Sequence, residues 1–139
     1  MTRAFDQGNQ GPTVIDLFSG CGGLSYGFST TGYQVLLGID SWELALDSFK
    51  YNHPESRILN TDLTHFSPSE INPSWNLLPG SVDVVVGGPP CQGFSISGKR
   101  NPDDPRNKLY QSFVSFVEYY RPKAFVMENV PNLVSMAGG

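Results

Sequence analysis

The sequence predicts an α/β fold, one parallel sheet with helices on both faces. Three observations lead there. Short apolar bursts alternate with helix-length segments along the chain, and that alternation calls for right-handed crossovers and strands running the same way. The length of 139 residues is that of a single domain. A content of 39% hydrophobic and 16% charged residues supplies a core and carries too little charge for disorder.

The elements follow in order. Residues 1–11 mix Gly, Gln, Asn and charge without a period and are expected to form a flexible leader, with the domain running from residue 12 to residue 139. Strands are expected at Thr13 to Phe18, Tyr33 to Ile39, Arg57 to Leu59, Val82 to Val86 and Ala124 to Met127. Helical spacing marks Leu24 to Thr31, Glu43 to Asn52 and Leu109 to Tyr120, with Leu44, Phe49, Phe113 and Val117 placed to face inward. Thr64 to Pro79 is irregular, a loop with a short helix at most.

Charge and composition narrow the partners. A net charge of -4 and a pI near 4.9 argue against binding nucleic acid by a broadly basic surface. Lys99, Arg100, Arg106 and Lys108 nevertheless fall in one loop-like stretch, opposed only by Asp103 and Asp104. That stretch is either an anion-facing patch or a solvated loop. Val84-Val85-Val86 is the longest wholly aliphatic run, far short of the roughly 20 residues of a membrane span, so no membrane association is expected. Two cysteines, Cys21 and Cys91, are too few for a disulfide framework and are expected to be free thiols.

A parallel sheet of this kind binds ligands at the carboxyl ends of its strands. Each expected strand end carries an unusual residue: Ser19-Gly20, Asp40, Asp62, Cys91 and Glu128-Asn129. The first, Asp16-Leu17-Phe18-Ser19-Gly20-Cys21-Gly22-Gly23, is a glycine-rich turn between strand and helix, where backbone can approach a ligand closely. Ser25 occupies the third glycine position of the dinucleotide fingerprint, and no phosphate-binding lysine follows. A non-phosphorylated nucleoside fits better. Asp40, 20 residues after Gly20, has the spacing of an acid that accepts from ribose hydroxyls. Asp40-Ser41-Trp42-Glu43 equally has the spacing of a capping box. Asp62 is a candidate partner for an exocyclic amine and Phe18 or Trp42 for the face of a base, with cap or core as the alternative for each.

The fourth strand runs into Gly87-Gly88-Pro89-Pro90-Cys91-Gln92-Gly93-Phe94-Ser95, a turn stiffened by two prolines. A free cysteine is commonly a small core hydrophobe. A thiol at a strand end, beside glycines and a basic loop, is instead placed where thiolate is favoured. Glu128, in Phe125-Val126-Met127-Glu128-Asn129-Val130, lies at the next strand end, either as a proton donor or as a capping or ion-paired glutamate.

The signatures Asp16 to Gly23, Gly88 to Ser95 and Glu128 to Val130, in that order, resemble the cytosine-C5 DNA methyltransferases. The resemblance implies a Rossmann-like S-adenosylmethionine-dependent methyltransferase sheet, with S-adenosyl-L-methionine as donor, S-adenosyl-L-homocysteine as product and no metal. It makes Cys91 the nucleophile that adds to carbon 6 of cytosine, which turns carbon 5 into an enamine-like acceptor of the methyl group, and Glu128 the acid on ring nitrogen 3. Phe18 becomes an adenine neighbour, Asp40 the ribose ligand and Asp62 the ligand of the adenine amine. Ser19, Gly20, Cys21, Gly22, Gly23, Ser41, Trp42, Leu63, Pro89 and Leu109 complete the implied cofactor site. Gln92, Ser95, Lys99, Arg100, Asn129 and Val130 are the implied substrate contacts, and Gln92 to Arg106 the segment that closes on an extruded base. Where the family commonly has an aromatic or aliphatic residue after the ribose acid, this chain has Ser41 and then Trp42.

The implied partner is double-stranded DNA, in the cytoplasm of a bacterium or archaeon or in a eukaryotic nucleus. Family members continue beyond the Glu-Asn-Val signature into a target-recognition domain, whereas this sequence ends at Gly139. The chain is therefore expected to be an amino-terminal catalytic half, truncated after about the fifth strand and inactive without a carboxyl-terminal half or second chain. A transfer-RNA cytosine methyltransferase and a non-catalytic cofactor-binding subunit are the alternatives. The former tends to follow Pro-Pro-Cys-Gln with Pro-Phe-Thr, where this chain has Gly93-Phe94-Ser95.

Overall fold

A computed structural model describes residues 11–90 and 108–129. Five strands, β1 (Thr13–Leu17), β2 (Gln34–Asp40), β3 (Arg57–Asn60), β4 (Val84–Gly87) and β5 (Ala124–Met127), form one sheet in the order β3-β2-β1-β4-β5. Every pair is parallel. The strand order reverses at β1, which has β2 on one side and β4 on the other, the kind of switch point at which open parallel sheets bind ligands. Among the described residues three helices accompany the sheet: α1 (Gly23–Thr30), α2 (Glu43–Asn52) and α3 (Leu109–Tyr120).

Alternation along the strands divides the core in two. Ile15, Leu17, Leu37, Ile39 and Val85 face one side, where Phe113, Phe116 and Tyr120 of α3 cover them. Val14, Val35, Val84 and Val86 face the other and pack with Leu46 and Phe49 of α2. Between Val14 and Ile15 the β1–β2 register shifts, so that Leu36 has no partner on β1. This bulge puts Leu36 and Leu37 into the same core cluster. Leu44, expected to face inward, is 67% exposed; α2 instead turns Ala45, Leu46 and Phe49 to the sheet. Val117 packs against the core as expected.

The strand boundaries differ by a residue or two from those expected. Phe18 leaves β1 at φ 57, in the left-handed region. The segment from Thr64 to Pro79 contains two 3-10 turns, Pro68–Glu70 and Pro73–Trp75. Arg57 holds the second of them, donating to the Trp75 carbonyl at 2.7 Å with its guanidinium 5.4 Å from the Trp75 ring centroid. At the amino ends of the strands, Asp83 accepts from the Thr13 N–H at 2.8 Å and pairs with Lys123 at 2.7 Å. That joint ties β1, β4 and β5 together at the end of the sheet opposite the strands' carboxyl ends. Among the described residues no helix is long and apolar enough to cross a membrane.

Candidate active site

The carboxyl ends of all five strands open on one rim, which places the glycine loop, Asp40, Asp62, the Gly88-Pro89-Pro90 turn and Glu128 in a row. The glycine loop is fixed by its neighbour β2. Ser19 N–H donates to the Ile39 carbonyl at 3.0 Å, and Gly22 N–H closes a turn on the Ser19 carbonyl at 2.9 Å. Gly22 sits at φ 87 and a Cβ there would lie 2.7 Å from the His53 ring and 2.8 Å from Phe49, so this position requires glycine on both counts.

Asp40 joins two loops. Its Oδ2 accepts from Gly20 N–H at 2.8 Å and its Oδ1 from Trp42 N–H at 2.9 Å. The N-cap of α2 is Trp42, and no side chain caps it, so the capping box considered for Asp40 does not form. Each carboxylate oxygen keeps a free lone pair, and Asp40 remains a half-buried acceptor on the rim. Asp62 is exposed. Its Oδ1 accepts from Thr64 N–H at 2.8 Å, and the hydrogen bonds from Thr64 hold its carboxyl below the usual range. Leu63 is buried, and its carbonyl accepts from the Ser112 hydroxyl at 2.8 Å, which joins this strand end to α3.

These residues surround a cavity of about 230 Å³. Phe18, Asp40, Ser41, Asp62, Leu63 and Leu109, all implied by the resemblance, line it together with Thr61, Gly88 and Pro90, none of which was expected at the cofactor. Thr61 had a signal, since it adjoins Asp62 at the same strand end. Pro89, expected at the cofactor, is buried and uses its carbonyl to accept from Asn129 Nδ2 at 3.1 Å. Ser19, Gly20, Gly22 and Gly23 form the adjacent loop, and Cys21 and Trp42 are exposed beside the cavity rather than among its lining. Cys91, Gln92, Ser95, Lys99, Arg100 and Val130 lie outside the described residues, as do the rest of the Gln92 to Arg106 segment and the leader to residue 10.

The lining suits a nucleoside. Two carboxylates offer acceptors for a diol or an amine, Phe18, Leu63, Pro90 and Leu109 offer apolar walls, and the described lining holds no basic side chain for a phosphate. The buried Ser19 hydroxyl has no partner among the described residues, a polar atom left over on the loop that borders the cavity.

Beneath the loop, Asp16 is 1% exposed. Burial pushes its carboxyl up to about 6, against the hydrogen bonds it receives from Ser25. The Ser25 hydroxyl donates to Asp16 Oδ2 at 2.6 Å, tying β1 to the first turns of α1.

Glu128 follows β5, its N–H donating to the Gly87 carbonyl at 2.9 Å. A Cβ added to Gly88 would stand 3.1 Å from Glu128 Oε2. The carboxylate therefore lies against the backbone that leads through Pro89 and Pro90 to Cys91, and the missing side chain of Gly88 leaves it the room.

A β3-β2-β1-β4-β5 parallel sheet with a glycine loop after β1 and an acid at the end of β2 is the architecture of Rossmann-like methyltransferases. The chain belongs to the C-5 cytosine-specific DNA methylase family, whose model matches residues 12–139. It is 48% identical over 126 residues to the Type II methyltransferase M.AgeI of Thalassovita gelatinovora, covering 91% of this chain and 29% of that protein. It is 40% identical over 133 residues to DNA (cytosine-5)-methyltransferase 1 of Gallus gallus, covering 88% of this chain and 9% of that one. Among solved structures, a DNA modification methyltransferase encoded within an E. coli prophage superposes with a TM-score of 0.73 at 35% identity, over 88% of this chain and 33% of that chain. The chain thus spans about a third or less of these relatives' length.

Proposed function

We propose that the protein methylates carbon 5 of cytosine in double-stranded DNA, with S-adenosyl-L-methionine as donor. The observation that carries this reading is Glu128 against Gly88: a carboxylate beside the turn that delivers the only thiol next to the Pro-Pro pair. An acid and a nucleophile on adjacent strand ends are what addition across the carbon 5–carbon 6 bond of cytosine needs.

The roles divide as follows. Asp40 would hold the ribose diol, Asp62 the adenine amine, and Phe18, Leu63 and Leu109 the faces of the base. Bound there, S-adenosylmethionine supplies an electrophilic methyl group. Cys91 Sγ adds to carbon 6 while the Glu128 carboxyl gives its proton to nitrogen 3, which disperses the charge that would otherwise build on the ring. After transfer to carbon 5, a solvent base would take the carbon 5 proton, the bond from Cys91 Sγ to carbon 6 would break to return the thiolate, and nitrogen 3 would give its proton back to Glu128, which restores the ring. Asn129, through Pro89, steadies the turn that carries the thiol. Since the chain spans a third or less of its relatives, target recognition and base extrusion are assigned to polypeptide beyond these residues, either a carboxyl-terminal half or a second chain. The compartment is the one that holds DNA.

Trapping on a duplex containing 5-fluorocytosine tests this, because fluorine cannot leave as the proton does. The protein, supplied with a carboxyl-terminal half from a relative, should form an adduct that maps to Cys91 and is absent in Cys91→Ser. An adduct on Cys21, or methylation that survives Cys91→Ser, would overturn the reading.

A further inference from the structure

We propose that Asn52 and His53, consecutive residues at the end of α2, are positioning residues for the glycine loop, setting the peptide planes on which cofactor affinity depends. This rests on the cofactor assignment above. Asn52 Nδ2 donates to the Cys21 carbonyl at 2.9 Å, and His53 Nε2 meets the Gly22 carbonyl at 3.0 Å. Two adjacent side chains thus grip two adjacent carbonyls 31 residues away. A carbonyl only accepts, so His53 Nε2 carries the proton.

The grip has a defined effect on the loop. In a planar trans peptide the carbonyl and the following N–H point in opposite directions. Drawing the Cys21 carbonyl toward α2 turns the Gly22 N–H back into its bond with Ser19. Drawing the Gly22 carbonyl toward His53 turns the Gly23 N–H away from α2. The N–H groups of Cys21 and Gly23 have no acceptor among the described residues, and both residues are exposed. They are the loop donors left for a ligand.

The anchor itself does not move easily. His53 is 6% exposed, its ring lies 4.7 Å from that of Phe49, and its own N–H bonds to the Phe49 carbonyl at 2.8 Å. The Gly22 carbonyl also receives Tyr26 N–H at 2.9 Å, so the atom that His53 holds is the first acceptor of α1. Loop and helix start are set together.

Three variants test the proposal by calorimetric titration with S-adenosylmethionine and thermal melts, alongside methyl transfer at saturating cofactor with a carboxyl-terminal half from a relative supplied. His53→Phe keeps the ring and removes the donor, His53→Gln keeps a donor amide, and Asn52→Asp changes an exposed donor to an acceptor without threatening the fold. His53→Phe and Asn52→Asp should each weaken cofactor affinity roughly three- to tenfold, the worth of one hydrogen bond. The saturated transfer rate should be retained, and His53→Gln should regain most of the affinity. Unchanged affinity in both Asn52→Asp and His53→Phe, or an equal loss in His53→Gln and His53→Phe, would overturn it. A wild-type protein that binds no S-adenosylmethionine would overturn the cofactor assignment as well.

Discussion

The rim above β1, β2 and β3 differs in construction from the rim above β4 and β5. In the first half the polar groups hold one another: Asp40 bridges Gly20 and Trp42, Asn52 and His53 grip the glycine loop, and Thr64 holds Asp62. In the second half the chain relies on stiff backbone, Gly88-Pro89-Pro90, steadied by Asn129. Among the described residues β5 is a sheet edge, with Phe125 57% and Val126 43% exposed. The proposed roles would account for the difference: a cofactor site can be finished within one short stretch of chain, whereas a site that admits an extruded base has to open to it.

Separating the two halves by mutation sharpens the comparison. Glu128→Gln keeps the shape of the side chain and removes its proton, so single-turnover methyl transfer should fall by about 10²–10⁴-fold while calorimetric affinity for S-adenosylmethionine stays unchanged. A parallel loss of affinity would mean that the halves are not separate.

Asp16 makes the stability of the first half depend on pH. Its carboxyl, raised from 3.8 to about 6 by burial, favours the protonated form in the folded protein. Its contribution to stability is therefore full below about 3.8 and is lost as the pH rises through about 6. The shift corresponds to roughly 3 kcal/mol. Denaturant midpoints at pH 4.5 and 7.5 should fall with pH in the wild type and remain level in Asp16→Asn, which still accepts from Ser25. Equal slopes in both proteins would assign the pH dependence to another group.

Asp40→Ala should raise the dissociation constant for S-adenosylmethionine about 10- to 100-fold, since a charged acceptor contributes about 1.5–3 kcal/mol, and leave the saturated rate nearly intact. Equal affinity with and without the carboxylate would reduce Asp40 to a loop tie.

Much of this was legible in the sequence. The five strands and three helices follow from apolar bursts and helical spacing, and six of the cavity's lining residues follow from the strand-end rule and the family signatures. Leu44 was misplaced although α2 has the expected bounds: Ala45, Leu46 and Phe49 form the face turned to the sheet, and Leu44 falls outside it. The bond of Asp40 to Gly20 and the grip of Asn52 and His53 were illegible for another reason. They join residues 20 and 31 positions apart, and no local periodicity encodes such pairings. Leu36 escaped notice because a bulge depends on the partner strand, not on the strand that carries it.

The two bonds of Asp40 have a further consequence. One oxygen ends at the loop before α1 and the other at the first residue after the Asp40-Ser41 corner, where α2 begins. A ligand that draws this carboxylate toward itself pulls on both tethers at once, so neither loop relaxes alone. The starts of two helices on one face of the sheet thus share a single carboxylate as their anchor, and loss of that carboxylate would release both loops together.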